Sequence, residues 1–318
     1  MRLLNLIRCL LSYLLSLVGI YRFRHMPCFL SVEPADWCML ACPECPVGQR
    51  RFLHEKHERH TMTPAFFSHV LDGCGRYLHT VQFFFQGEPL LNHDLPELIR
   101  IARQYDIYTI VSTNAQLLTP DIAESLVGSG INRIIVSIDG FSQASYEAYR
   151  TGGSFSRAIE GLRLLAEAKR RQKSHVVIEW QCLMLRSNQH EWKQIKQNCR
   201  QLGADRFSLK TAQFADFIHG NPLMPDNERY SRYRKTADGT FALKHKYRNR
   251  CLRLWSGAVI DARGNLLPCC FDKAGAYCFG NLASGSVRQL WHSPAADRFR
   301  RQLLTRRTDI SICLNCTE

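Results

Sequence analysis

Three cysteines crowd into eight residues, Cys38-Met39-Leu40-Ala41-Cys42-Pro43-Glu44-Cys45. This C-x3-C-x2-C spacing sets three thiolates on one tight loop, one ligand short of a structural zinc site. Zinc would need an outside donor such as His54, His57 or His60. A [4Fe–4S] cube on three cysteines instead leaves one iron open to a small chelating ligand, which cofactor-based radical chemistry requires. About 40 residues on stands Phe85-Gln86-Gly87-Glu88-Pro89. Glycine there permits close backbone approach, and the glutamate can accept a hydrogen bond from an ammonium group. A second cysteine set comprises Cys251, Cys269-Cys270, Cys278 and Cys313-x2-Cys316. Such pairs suit iron–sulfur clusters and a zinc ribbon alike. Cys9, Cys28, Cys74, Cys182 and Cys199 have no partners in spacing and read as small buried hydrophobes.

These residues need elements to hold them. Residues 29–34 read as a short strand leading into the cysteine loop, and a strand-then-helix rhythm follows. Strands are expected at Thr80–Gln86, Tyr108–Asn114, Arg133–Asp139, His175–Met184 and Arg206–Gln213. Helices are expected at Pro64–Leu78, Leu95–Tyr105, Pro120–Val127, Phe155–Gln172 and Glu191–Leu202. Thr63-Pro64 and Thr119-Pro120 carry an N-cap followed by a first-turn proline, and Gly130 and Gly203 fall at helix ends. The repeat predicts an α/β fold, a partial (β/α)6 TIM-like barrel. One face of each strand is polar: Glu33; Gln82 and Gln86; Ser112 and Asn114; Ser137 and Asp139; Glu179 and Gln181; Ser208 and Lys210. A complete barrel is usually filled with branched aliphatics. A polar lumen predicts an incomplete barrel holding a polar ligand, unless these groups bond one another. The rhythm stops after Gln213. Four regions follow from the patterning: an apolar N-terminal helix in 1–28, the barrel in 29–215, a connecting segment in 216–250 and a small cysteine-rich α+β module in 251–318.

With both motifs at one mouth of a parallel barrel, residues 29–213 resemble the radical S-adenosylmethionine (radical SAM) superfamily. The resemblance rests on Cys38, Cys42 and Cys45, on Gln86-Gly87-Glu88-Pro89 (similar to the family's Gly-Gly-Glu-Pro), and on Ser112-Thr113-Asn114 and Ser137-Ile138-Asp139. It implies that the three cysteines ligate a [4Fe–4S] cluster whose fourth iron is chelated by the methionine moiety of SAM. Gln86, Gly87 and Glu88 would lie at its amino group; Ser112, Asn114, Ser137, Asp139 and Lys210 would line the ribose or carboxylate. Glu44 departs from the family, which usually has an aromatic before the third cysteine. The C-terminal cysteines, with Gly264 five residues before Cys269, resemble the SPASM/twitch extension. That implies one auxiliary [4Fe–4S] cluster on Cys251, Cys269, Cys313 and Cys316, with Cys270 or Cys278 as substitutes. The implied activity is reductive cleavage of SAM and hydrogen abstraction from a substrate, with a flavodoxin- or ferredoxin-type protein as reductant.

Composition narrows the rest. The chain has 318 residues, 45% hydrophobic and 22% charged, which is a globular composition. Its net charge is +14, and sixteen basic against six acidic residues lie from Tyr230 onward. An anionic substrate fits that bias, as does a solvated basic face carrying Arg298, Arg300, Arg301, Arg306 and Arg307. Peptide maturation and carbohydrate oxidation are the leading reactions. RNA modification and a non-catalytic iron–sulfur or zinc electron carrier are the alternatives. With no RNA-binding module, nucleic acid is not an expected partner. Between Leu3 and Ile20 the chain is largely apolar, but Arg8 leaves a clean run of only 12 residues. About 20 are needed to span a bilayer. Tyr21-Arg22-Phe23-Arg24-His25 follows where a signal peptide would have small residues. The expectation is a cytoplasmic protein whose first helix packs on the domain or lies on a membrane surface.

Overall fold

A computed structural model describes residues 1–21, 25–50, 58–245 and 248–317. Six parallel strands form its centre: β1 (Phe29–Val32), β2 (Thr80–Phe83), β3 (Tyr108–Thr113), β4 (Arg133–Ser137), β5 (Val177–Met184) and β6 (Arg206–Thr211). Each pairs with the next in sequence order. Helices fill the crossovers: α2 (Pro64–Cys74), α3 (Leu95–Gln104), α4 (Pro120–Gly128), α5 (Gln143–Glu147), α6 (Phe155–Arg171) and α7 (Trp192–Asn198), after an N-terminal α1 (Arg2–Leu17). The caps work as their residue types predict. The Thr63 and Thr119 side chains accept from the N–H groups of Phe66 and Ile122, with proline in the first turn. Strands β2, β3 and β4 end three, one and two residues earlier than the alternation suggests. Gln86, Asn114 and Asp139 have already left the ladder for the loops at the barrel mouth.

The sheet does not stop where the rhythm does. A hairpin of β7 (Tyr233–Lys235) and β8 (Phe241–Leu243) lies in the connecting segment, and Tyr233 and Phe214 help form a second small core there. Beyond α8 (Arg253–Ser256), β9 (Gly257–Ile260) pairs in parallel with β1. Antiparallel β10 (Asn265–Leu267) and β11 (Gly280–Asn281) extend it further. The result is one nine-stranded sheet, β11-β10-β9-β1-β2-β3-β4-β5-β6. Strands of two to four residues are too short to show a period. Gly257 is required by this join, since a Cβ there would sit 2.0 Å from the Phe29 ring. Helices α9 (Val287–Trp291) and α10 (Pro294–Arg306) complete the C-terminal region.

Two basic residues expected on helix surfaces are inside. Arg300 is fully buried, donating to the Trp291 carbonyl at 2.8 Å with its guanidinium 4.2 Å from the Trp291 ring centre. Arg307 is buried too, and its Nη1 donates to the carbonyls of Arg248 and Arg250, both at 3.0 Å. A guanidinium can satisfy carbonyls and stack on an aromatic face at once, so it survives burial where a bare charge would not. The unpartnered cysteines, Cys9, Cys28, Cys74, Cys182 and Cys199, are all buried, as expected. Among the described residues no helix is long and apolar enough to cross a membrane.

Candidate active site

At the C-terminal ends of the parallel strands lies a cavity of about 290 Å³. The loop after β1 brings Cys38, Cys42 and Cys45 to it. Three features hold that loop in place. Gly48 folds back so closely that a Cβ would lie 2.7 Å from the Cys42 nitrogen. The Ala41 N–H donates to the Thr151 carbonyl at 3.0 Å, anchoring the loop to the turn after α5. Glu44 accepts from the Ala215 N–H at 2.7 Å and from Asn221 Nδ2 at 2.9 Å. The residue that departs from the family pattern thus clamps the cysteine loop to the segment after β6.

The loop after β2 is strapped to the same place. Glu33, at the end of β1, takes the N–H groups of Gln86 and Gly87 on one oxygen and that of Ala262 on the other. Burial pushes the Glu33 carboxyl up to about 7, against those three donors. A Cβ on Gly87 would lie 1.9 Å from the Ala35 carbonyl oxygen, so the close approach glycine permits here is to the protein's own cysteine loop. The Glu88 N–H donates to the Trp37 carbonyl at 2.9 Å. Glu88 itself is buried, and its carboxylate accepts from Thr113 Oγ1 at 2.5 Å, the Asn114 N–H at 2.9 Å and the Leu90 N–H at 3.2 Å. Its visible work is to fix the end of β3. Asn114 Nδ2 in turn lies 3.5 Å from Cys38 Sγ.

Gln86, Gly87, Glu88, Ser112, Asn114, Ser137 and Asp139 all line the cavity, as their strand positions predict. Lys210 does not: it is exposed, because β6 is the open edge of the sheet and its lysine can turn to solvent. Part of the polar lumen is satisfied internally. Glu179 pairs with Arg133 and accepts from Ser208 Oγ at 2.5 Å. Asp139 pairs with Arg150 at 2.6 Å and takes the Leu183 N–H. Ser112, Ser137 and Gln181 remain in the cavity wall.

Arg150 also lines the cavity, and strand patterning misses it because it sits on the turn after α5. Burial would depress its guanidinium, but Asp139 and Cys42 outweigh that and hold it above its ordinary value. Burial raises the Cys42 thiol and Arg150 works against it; Cys38, without such a neighbour, is pushed up by burial to about 12. A cation beside buried thiols favours their ligating, deprotonated form. The only sequence signal was an arginine just before the Gly152-Gly153 pair.

In the C-terminal region burial raises the thiols of Cys251, Cys269, Cys270 and Cys313, and neighbouring cysteines of the same set, Cys316 among them, add to it. Cys278 stands apart, facing Asp261 and Asp272 and accepting from the Gly280 N–H at 3.3 Å. Among the described residues no three cysteine, histidine or carboxylate side chains converge as a single metal ion would need. His60 instead faces Asp36 at 3.2 Å, whereas His54 and His57 lie outside the described residues. Three cysteines in no disulfide, opening on a cavity with a polar wall, fit a cluster gripped at three corners with room for a small ligand.

Comparison with known proteins agrees. The family model of the radical SAM superfamily matches residues 32–179, and that of the SPASM iron–sulfur cluster-binding domain matches 251–317. An AdoMet-dependent heme synthase of Nitratidesulfovibrio vulgaris is 29% identical over 170 residues, 52% of this chain. That match spans only 43% of the heme synthase. The PqqA peptide cyclase of Rhizobium meliloti is 26% identical over 292 residues, 85% of this chain and 75% of the cyclase. Crystal structures of Streptococcus suis SuiB share the fold at a TM-score of 0.64 and 16% identity. Bound to S-adenosylmethionine, SuiB is matched over 68% of its length by 86% of this chain; bound to the precursor peptide SuiA, over 69% by 90%. The chain belongs to the radical SAM superfamily and carries a C-terminal SPASM domain, with [4Fe–4S] clusters and S-adenosylmethionine as its cofactors.

Proposed function

We propose that this enzyme oxidises or cross-links a peptide that carries carboxylate groups. The observation that carries this reading is the shape of the site. The cavity at the three cysteines shares Glu44, Pro46 and Lys273 with a neighbouring cavity of about 180 Å³, lined also by Phe214, Phe271 and Asn315. Together they make a trough running from the cluster loop onto the C-terminal domain, suited to an extended chain rather than a single sugar ring. The match to the peptide cyclase, which runs through both domains, supports the same substrate class.

In this reading Cys38, Cys42 and Cys45 hold the first cluster, and Ser112, Asn114 and Ser137 orient S-adenosylmethionine. Bound there, S-adenosylmethionine would supply the one-electron chemistry that removes a hydrogen atom from the substrate. Lys273, presented by the C-terminal domain and fixed through its carbonyl by Gln86 Nε2 at 2.9 Å, meets a substrate carboxylate. Arg150 keeps Cys42 in its ligating form. Cys251, Cys269, Cys313 and Cys316 hold an auxiliary cluster able to accept the second electron, with Cys270 the nearest substitute. A separate electron, the one that reduces the first cluster, would come from a cytoplasmic flavodoxin- or ferredoxin-type protein.

The test is anaerobic reconstitution with iron and sulfide. About eight irons per chain should fall to about four in Cys38→Ala/Cys42→Ala/Cys45→Ala, with 5′-deoxyadenosine formed only by wild type. A library of acidic peptides should then yield products lacking two hydrogens, fewer with Lys273→Ala. Product from monosaccharides alone would overturn the substrate class. Tightly held zinc in place of iron would overturn the cluster assignment.

A further inference from the structure

Helix α1 is amphipathic the wrong way round for a soluble domain. Its buried residues are Asn5, Cys9, Ser12 and Ser16. Polar contacts hold that face to the protein. Asn5 exchanges two hydrogen bonds with the Met26 backbone at 2.8 and 2.9 Å, Arg2 Nε reaches the Leu78 carbonyl at 2.6 Å, and the Cys9 thiol faces the Trp255 carbonyl. The aliphatic side points outward. Leu3, Ile7, Leu10, Leu14 and Leu17 recur every three or four residues along one stripe, all exposed, and Leu3 and Val18 are 70% and 73% accessible. A surface helix normally buries its apolar stripe against the core, and an aliphatic patch this continuous marks an interaction surface.

Its charged surroundings say what covers it. Tyr13 of α1 lines a cavity of about 540 Å³ together with Lys244, His245, Arg248, Arg250 and Arg307, and no carboxylate lines it among the described residues. Lys244, His245, Arg248 and Arg250 are exposed, and Arg307 holds the carbonyls of Arg248 and Arg250 from below. An exposed aliphatic stripe beside a basic cluster is the composition of a helix that lies in the plane of an anionic bilayer. At 16 residues, about 24 Å long, it suits that plane rather than a crossing.

We infer that α1 and the basic residues Lys244, His245, Arg248 and Arg250 dock the enzyme on the surface of an anionic lipid bilayer. The fold also sets the orientation. Every anchor of α1 lies just before a strand: Met26 before β1, Leu78 before β2 and Trp255 before β9. The helix therefore covers the N-terminal end of the barrel, opposite the cysteine loop. Docked this way, the trough opens away from the lipid, toward soluble substrate.

Flotation of the full chain tests this. The protein is mixed with vesicles of phosphatidylcholine alone or with phosphatidylglycerol added. Wild type should float with the anionic vesicles and release in high salt. Ile7→Ser/Leu14→Ser should bind on the order of 100-fold more weakly, with SAM cleavage unchanged as proof of folding. Lys244→Glu/Arg248→Glu should lose the preference for anionic lipid. A dye on Leu14→Cys should shift to the blue on vesicles, whereas one on Ser156→Cys, on the exposed start of α6, should not. The docking is refuted if wild type stays with the unbound fraction on both vesicle types. It is equally refuted if light scattering finds a dimer that Leu14→Glu converts to monomer, which would give the face to a second copy.

Discussion

The two cysteine sites are built in opposite ways. Cys38, Cys42 and Cys45 come from one loop, and the backbone that positions them comes from the loop after β2, with Gly87 against Ala35 and the Glu88 N–H on Trp37, and from the turn after α5, with Thr151 on Ala41. Cys251, Cys269, Cys270, Cys313 and Cys316 come from separate stretches, assembled only when β9 joins β1 and the hairpin β7–β8 reaches the C-terminus. Tyr233 makes that last link, donating its hydroxyl to Asn315 Oδ1 at 2.7 Å and accepting from the Phe214 N–H at 3.1 Å. A local site depends on loop geometry; a dispersed one depends on the stability of the fold around it.

Gly87→Ala should break the comparison most sharply. A methyl group cannot fit 1.9 Å from a carbonyl oxygen, so the strap must lift from the cysteine loop. The first cluster and SAM cleavage should be lost, while about four irons remain on the C-terminal domain. Retention of both clusters would show that the strap is not what sets the loop.

Arg150→Met comes next. It leaves Asp139 buried without its cation, at a cost of about 3–5 kcal/mol, and removes the charge beside Cys42. Iron at the first site should become labile to chelators while the second site is unaffected, and thermal unfolding should shift down.

Acid should instead act on the seam between the two regions. His25 is fully buried, its Nε2 facing the Trp255 carbonyl at 2.8 Å and its own carbonyl accepting from Trp291 Nε1. Burial holds its imidazole down to about 4. The unfolded chain takes up that proton near pH 6.5 and the folded chain only near 4, so stability present above 6.5 is lost as pH falls through this window. The contribution is about 3 kcal/mol. Glu33 runs the other way, its share being lost as pH rises through about 7. The measurement is therefore the difference in melting temperature between wild type and His25→Gln across pH 4–7, which should narrow toward acid.

Smallest is Tyr233→Phe. It removes two hydrogen bonds, the one donated to Asn315 and the one accepted from the Phe214 N–H, about 2 kcal/mol together, leaving the ring stacked on Phe217 at 4.8 Å. Only the C-terminal cluster should loosen, seen as faster iron loss from that site with SAM cleavage intact.

The strand–helix repeat was legible because strands β1 to β5 carry buried apolar residues and helices α2, α4 and α6 start at a side-chain cap. The polar strand ends were legible for a related reason: Ser112, Ser137 and Gln181 keep a period of two up to the mouth. Glu88 shows the limit, since a glutamate in that motif looks free to meet an ammonium group, yet the fold gives its oxygens to Thr113, Asn114 and Leu90. Arg300 and Arg307 show it again. The segment that carries them reads as solvated and basic, and only the positions of Trp291 and of the residues at 248–250 turn them inward.

By itself the sequence determined the superfamily. Three cysteines at fixed spacing, and a glycine-bearing turn at the next strand end, are short-range patterns that survive in one dimension. Tertiary structure alone decided what surrounds them. It placed Arg150 beside Cys42, spent Glu44 as a clamp, ran the C-terminal strands into the barrel sheet and turned the apolar side of α1 to the outside. Each of these depends on contacts between residues far apart in the chain, and no local pattern encodes which of two faces a helix will bury.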